Sequence, residues 1–269
     1  MKKYWAILTT RTQEDMAYRA NYFIGALFRF LPLVTSIVLW YAVFKSMGGT
    51  HPKIEGMSYQ NLIAYTALVY ISRGVSSMPG MTRDICNDIK DGNLNRYIVR
   101  PINYSGYQIV YRLAHKLVFW LIAAVTFPVI FFLLRHDFTH QIQPEEWVAF
   151  IIALIIGFWI GMLFSLTIGL LAFWFLEIST FLYVISTIEY FLSGNLIPLN
   201  LFGPKMFEIV GKLPFSYEAF WPVLILLGKV AQHQLVSILL WGIGWVFFFL
   251  IVINILWFLG IRRYSAVGG

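Results

Sequence analysis

Apolar residues run in long blocks along this chain, and polar residues collect in the gaps between them. Blocks at residues 22–44, 59–78, 112–134, 147–175, 177–192 and 235–260 approach or exceed the roughly 20 residues that a helix needs to cross a hydrocarbon core. The pattern predicts an all-α integral membrane protein with six transmembrane helices, built as a single domain over residues 1–269. Residues 1–21 are mostly polar, yet Trp5, Leu8, Thr12 and Met16 fall near one helical face. That spacing predicts a helix lying along the membrane interface. Pro128 predicts a kink in the third span.

The longest polar gap lies at residues 80–101. Arg83, Asp84, Asp88, Lys90, Asp91, Arg96 and Arg100 stand within it. Burying them at the bilayer centre would cost on the order of 20 kcal/mol, so the segment stays in water. Thr82 is suited to cap a short helix that Gly92 ends, and Leu94 opens a further turn or two before Pro101. Ile85 and Ile89 share a face of the first helix. They are expected to form an apolar knob, rimmed by both signs of charge, on which another protein docks.

Two apolar stretches carry special spacing. In the fourth span Gly157, Gly161, Ser165 and Gly169 recur every four residues. A helix face so nearly bare of side chains lets another backbone approach closely. The stretch at residues 193–228 is cut by Pro198, Gly203, Pro204, Gly211, Pro214 and Pro222 into pieces too short to cross. It is also too apolar for a free loop. Broken backbone at membrane depth needs cover from protein or from a water-filled cavity. Re-entrant helices before the last span are therefore expected, with Asn195, Pro198, Gly203 and Pro204 as gate or substrate-path candidates.

Composition agrees with a membrane solvent: 59% of residues are hydrophobic and 12% are charged, against about 25% charge in a soluble domain. The net charge of +7 does not point to nucleic acid, because the basic residues gather at span ends and in alternate loops. Those of residues 1–21, those of the insert, and Arg112, Lys116, Arg262 and Arg263 share one side. Lys53, Arg135, Lys205, Lys212 and Lys229 share the other. The richer side is the cytoplasm, which places both termini and the insert inside. Cys86 is the single cysteine, so it excludes an internal disulfide and serves as a natural topology probe.

Candidate chemistry is sparse. No G-x-x-x-x-G-K-S/T loop occurs, so the chain has no phosphate cradle of its own. His136, Asp137 and His140 have helical ligand spacing but lack supporting ligands beyond Glu145 and Glu146, and no metal is expected. Arg29, Arg73 and Glu189 lie within spans. The arginines are expected to snorkel to the interface, whereas Glu189 is left as a structural pair or part of a substrate path. By residues alone a membrane enzyme acting on lipid, or a secondary carrier, stays open beside a transport subunit.

The stretches EDMAYRANYF, DIKDGNLNRYIVRPINYSGYQ and RRYSAVGG, with the broken segment before the last span, resemble an ATP-binding-cassette permease. The similarity is to the type-2 exporter branch with a G-x-L-x-x-x-x-x-RP signature, supplied here by Gly92, Leu94, Arg100 and Pro101. The resemblance implies a six-span, multi-pass subunit of the bacterial cytoplasmic (inner) membrane, with a cytoplasmic coupling helix between the second and third spans. Arg83, Asp84, Ile85, Asp88, Ile89, Lys90, Asp91 and Gly92 would form the ATPase-docking segment. It also implies two ABC ATPase subunits and a second permease subunit, identical or homologous, with lipid around them. ATP and Mg would be held by the partner ATPase, with no cofactor in this chain.

Overall fold

Backbone amides in an apolar solvent must find their partners within the chain, and the long apolar runs do so as helices. A computed structural model describes residues 2–17, 19–48, 53–54, 57–100, 102–133, 135, 142–175 and 179–264, with residues 19–30, 122 and 179 described by their backbone alone. In chain order the helices are α1 (Lys2–Ala17), α2 (Arg19–Met47), α3 (Tyr59–Ser76), α4 (Met81–Lys90), α5 (Asn95–Ile98) and α6 (Tyr104–Leu133). They continue with α7 (Pro144–Leu170), α8 (Ser179–Leu192), α9 (Pro204–Val210), α10 (Phe220–Leu226) and α11 (Gln232–Arg263). Short 3-10 turns occupy Leu171–Phe173, Leu199–Phe202 and Pro214–Glu218.

Local chemistry sets several of these bounds. Ser58 caps α3, its hydroxyl accepting from the Asn61 amide at 3.3 Å. Pro144 occupies the first position of α7, where a missing N–H is harmless, and Glu146 closes a capping box with Gln143. α6 starts at Tyr104, well before the apolar run, because its first turns bury polar side chains against the insert rather than lipid. It bends by 47° between Tyr104–Leu121 and Ala123–Leu133, ahead of Ala124, whose carbonyl is the one the Pro128 ring crowds, so the bend is not at the expected proline kink.

Two helices, α7 and α11, are each long and apolar enough to cross a membrane alone, and α6 makes a third if its halves count as one span. The other expected spans fall short of that standard for visible reasons. α8 has 14 residues, about 21 Å of helix, and α3 carries Arg73. In α2 the shorter piece Leu31–Met47 is the apolar part among the described residues.

α7 is the post about which the chain is arranged. Helices α3, α4, α10 and α11 and the turn Pro214–Glu218 all pack against it, and 56% of its apolar window is buried against 17% for α11. The outer face of α11 is therefore left to lipid or a partner. α1 lies along α6, tied by Asp15, which pairs with Arg11 at 3.0 Å and with His115 Nδ1 at 3.3 Å. Of the expected apolar face of α1, Trp5 and Met16 are exposed whereas Leu8 and Thr12 are half-buried.

Candidate coupling surface and translocation cavity

The insert begins at Gly80, whose φ of +80° is open to glycine at little cost. That glycine, not Thr82, is the residue before the first turn of α4. Thr82 instead sits inside the helix and donates its hydroxyl to the Ser165 carbonyl of α7 at 3.1 Å. Cys86 Sγ donates to the Gly169 carbonyl at 3.6 Å. Between these bonds Ile85 drops onto Gly169, where an added Cβ would lie 2.8 Å from the Ile85 Cβ.

Ile85 and Ile89 are consequently buried within the chain, and the expected docking knob is not there. The apolar stripe of α4 faced a choice between a partner and α7, and the side-chain-free groove of α7 gave it an internal seat. What α4 leaves exposed is Arg83, Asp84, Asn87 and Asp91, with Asp88 and Lys90 half-buried. Asp84 pairs with Arg112 of α6. Asp88 accepts from the Tyr104 hydroxyl at 2.9 Å and from Gln108 Nε2 at 3.1 Å. Burial pushes the Asp88 carboxyl up from its ordinary range, and these two donors oppose the shift.

Gly92, at φ +74°, ends the first helix and Leu94 is fully buried behind it. Tyr97 packs on Tyr104 and Tyr107, and Tyr104 stacks on Trp257 of α11 with ring centres 5.3 Å apart. The apolar groups that the insert offers outward come from α5 and its end: Ile98 is exposed, Val99 is 82% exposed, and Arg100 stands beside them. Pro101 of the signature lies outside the described residues, as do His136, Asp137 and His140.

The buried thiol makes a testable difference. Burial raises Cys86 to about 11, and the thiolate is the form that reacts with maleimide. Native labelling of Cys86 should therefore be slow from either side of the membrane. Asn87→Cys in a Cys86→Ser background, placed on the exposed side of α4, should label at least tenfold faster from whichever side of the membrane the insert faces. Fast native labelling of Cys86 would contradict the seating of α4.

The small residues of α7 receive three different segments. Gly157 faces the Tyr217 carbonyl, Gly161 faces the Ser76 carbonyl at the end of α3, and Ser165 and Gly169 carry α4. Side chains at the glycines would collide with those groups. The Tyr217 contact lies thirteen residues into α7, about 20 Å along the helix, so the proline-broken segment descends far beside it.

That descent brings charge together. Arg73 of α3 pairs through Nη2 with Glu189 Oε1 of α8 at 3.0 Å and through Nη1 with Glu218 Oε2 of the turn Pro214–Glu218. The Glu218 side chain is 0% exposed, and Arg73 and Glu189 are 16% exposed. Arg73 thus does not snorkel; two carboxylates hold it inside. Ser76 fixes the turn by donating to the Glu218 carbonyl at 3.0 Å, and the Tyr65 hydroxyl donates to the Gly194 carbonyl at 2.6 Å. The side chain of Arg29 lies outside the description. Glu218 was not singled out from sequence, although an acidic residue inside an apolar, proline-broken stretch was the signal available.

The triad borders a cavity of about 640 Å³ between α3, α4, α7 and α8. Phe164, Ile168, Leu182 and Ile185 form its apolar walls, and Arg83 and Lys90 stand at the insert end. A second cavity of about 350 Å³ reaches Arg73 from α2, with Tyr190 and Asn195 in its wall. The other gate candidates shape backbone instead: Pro198 precedes the turn Leu199–Phe202, and Gly203, at φ +85°, leads into Pro204 at the start of α9. None of those three lines either cavity.

The fold is that of a helical protein with membrane-length apolar helices and a polar insert clamped to its central helix. The sequence profile described as ABC-2 family transporter protein matches residues 30–268, and the chain belongs to that family. It is a permease subunit of an ABC transporter, and the family implies partnership with ABC ATPase subunits. No curated protein matches the chain.

Proposed function

We propose that the chain is the membrane subunit of an ATP-driven exporter in the bacterial cytoplasmic membrane. It would carry an amphipathic or hydrophobic substrate outward in an assembly of two permease subunits, identical or homologous, and two ATPase subunits that hold the ATP and Mg. Six spans, with both termini and the insert in the cytoplasm, suit this reading. The observation that carries it is the seating of α4: bonded to α7 through Thr82 and Cys86, it still presents Arg83, Asn87 and Asp91 to solvent. A push on that exposed side is transmitted to α7 and, through the short link at residues 77–80, to Arg73 on α3.

Affinity purification of the full-length chain in mild detergent should bring down an ABC ATPase, and its absence would count against the exporter. The outward groups at the end of α5 add a sharper test. Val99→Asp combined with Arg100→Glu removes exposed apolar surface and reverses a charge without touching the seated face. ATPase association should weaken about tenfold or more, as loss of a well-placed contact residue does, while thermal unfolding of the permease stays unchanged. Wild-type association in the double variant would move docking away from α5.

A further inference from the structure

We propose that the cavity bordered by α4 holds an anionic amphiphile, with a phosphate-type head at Arg83 and Lys90 and a hydrocarbon body against α7 and α8. This deepens the permease reading and rests on it. The helix sorts its own charge. Asp84 and Asp88 turn toward α6, where Arg112, Tyr104 and Gln108 take them up. Arg83, Asn87 and Lys90, at i, i+4 and i+7, form the neighbouring stripe and line the cavity. Neither basic side chain of that stripe has an ion-pair or hydrogen-bond partner among the described residues, although Lys90 is half-buried. Away from the insert, Arg73 is taken up by Glu189 and Glu218. The unanswered charge of the cavity is therefore that of α4, and it is positive.

Stripe and walls match the two halves of such a molecule. Arg83 and Lys90 are about 10 Å apart along the helix, a gap that two long flexible stems close around one head. Asn87 adds a neutral N–H donor between them. A phosphate monoester brings three acceptor oxygens and close to two negative charges to that trio. Phe164, Ile168, Leu182 and Ile185 give the hydrocarbon body an apolar wall. A volume of about 640 Å³ falls within the roughly 300–1,000 Å³ of ligand sites. Arg83 is exposed whereas Lys90 is half-buried, so salt screens Lys90 less and it carries the larger share of the attraction.

The test uses the full-length chain in phosphatidylcholine nanodiscs, with empty nanodiscs subtracted, and two radiolabelled probes of equal chain length, dodecyl phosphate and dodecanol. The phosphate should bind saturably and at least tenfold more tightly than the alcohol. Lys90→Gln should cut that preference roughly fivefold and Arg83→Gln somewhat less, and the double variant should remove it. Both side chains lack a bonded partner, so the thermal midpoint of these variants should stay native. Arg96→Gln, which removes an exposed cation of the insert outside the cavity wall, should leave the preference unchanged. Equal binding of the two probes by the native chain would overturn the proposal. An equal loss in Arg96→Gln would overturn it too, by assigning the preference to the charge of the whole insert. Inorganic phosphate should displace dodecyl phosphate only at concentrations at least about a hundredfold higher, because it buries no chain. Displacement at equal concentrations would assign the site to a free anion instead of an amphiphile. ATPase co-purification is scored separately. Association without phosphate preference overturns this site alone, and phosphate preference without association overturns the exporter reading alone.

Discussion

Gly161→Leu should lower the thermal midpoint of the purified protein by roughly 6–12 °C, the equivalent of about 3 kcal/mol at 2–4 °C per kcal/mol for a chain of this size. The added Cβ meets the Ser76 carbonyl, which is backbone at the end of α3 and cannot rotate away. Either α3 moves off α7 or the side chain leaves its rotamer, and overpacking of this kind costs about 1–3 kcal/mol or more. Moving α3 would also part Arg73 from Glu218, because Ser76 holds the Glu218 carbonyl. Gly244→Ala on α11 is the control. Nothing lies within 4 Å of its added Cβ, and helix propensity alone favours alanine by up to about 1 kcal/mol. Its midpoint should be unchanged or raised. A native midpoint for Gly161→Leu would mean that α3 and α7 are not in close contact at that glycine.

Arg73→Ala should be still more damaging. It strands Glu218, 0% exposed, beside Glu189 with no positive charge between them. Removing one partner of a buried ion pair costs about 3–5 kcal/mol, because the remaining charge stays uncompensated. The double variant Arg73→Met with Glu218→Gln removes the stranded charge, so it should recover more than half of the lost midpoint. That non-additivity is what one buried charge network requires. Equal losses in Arg73→Ala and in the double variant would assign the damage to packing instead of charge.

Pattern alone carried the membrane character, the helical class and the polar insert, because lipid forces backbone pairing into helices and excludes charge wherever the chain runs. The four-residue spacing of Gly157, Gly161, Ser165 and Gly169 is likewise visible in the sequence, and so is the segment cut by Pro198, Pro204 and Pro214. Each of these is a local property, set by neighbours a turn or two away.

What meets those small residues was decided only in three dimensions. Ile85 and Ile89 form an amphipathic stripe whether the stripe faces a partner or α7, and periodicity does not distinguish the two. The bare groove at Gly169 does, by accepting Ile85. Arg73, Glu189 and Glu218 are separated by more than a hundred residues from first to last, so no spacing rule joins them. They meet because α8 is short and the proline-broken segment descends beside α7 as far as Gly157. A buried charge must find its counter-charge somewhere, and the sequence by itself states that need without naming the residue that answers it.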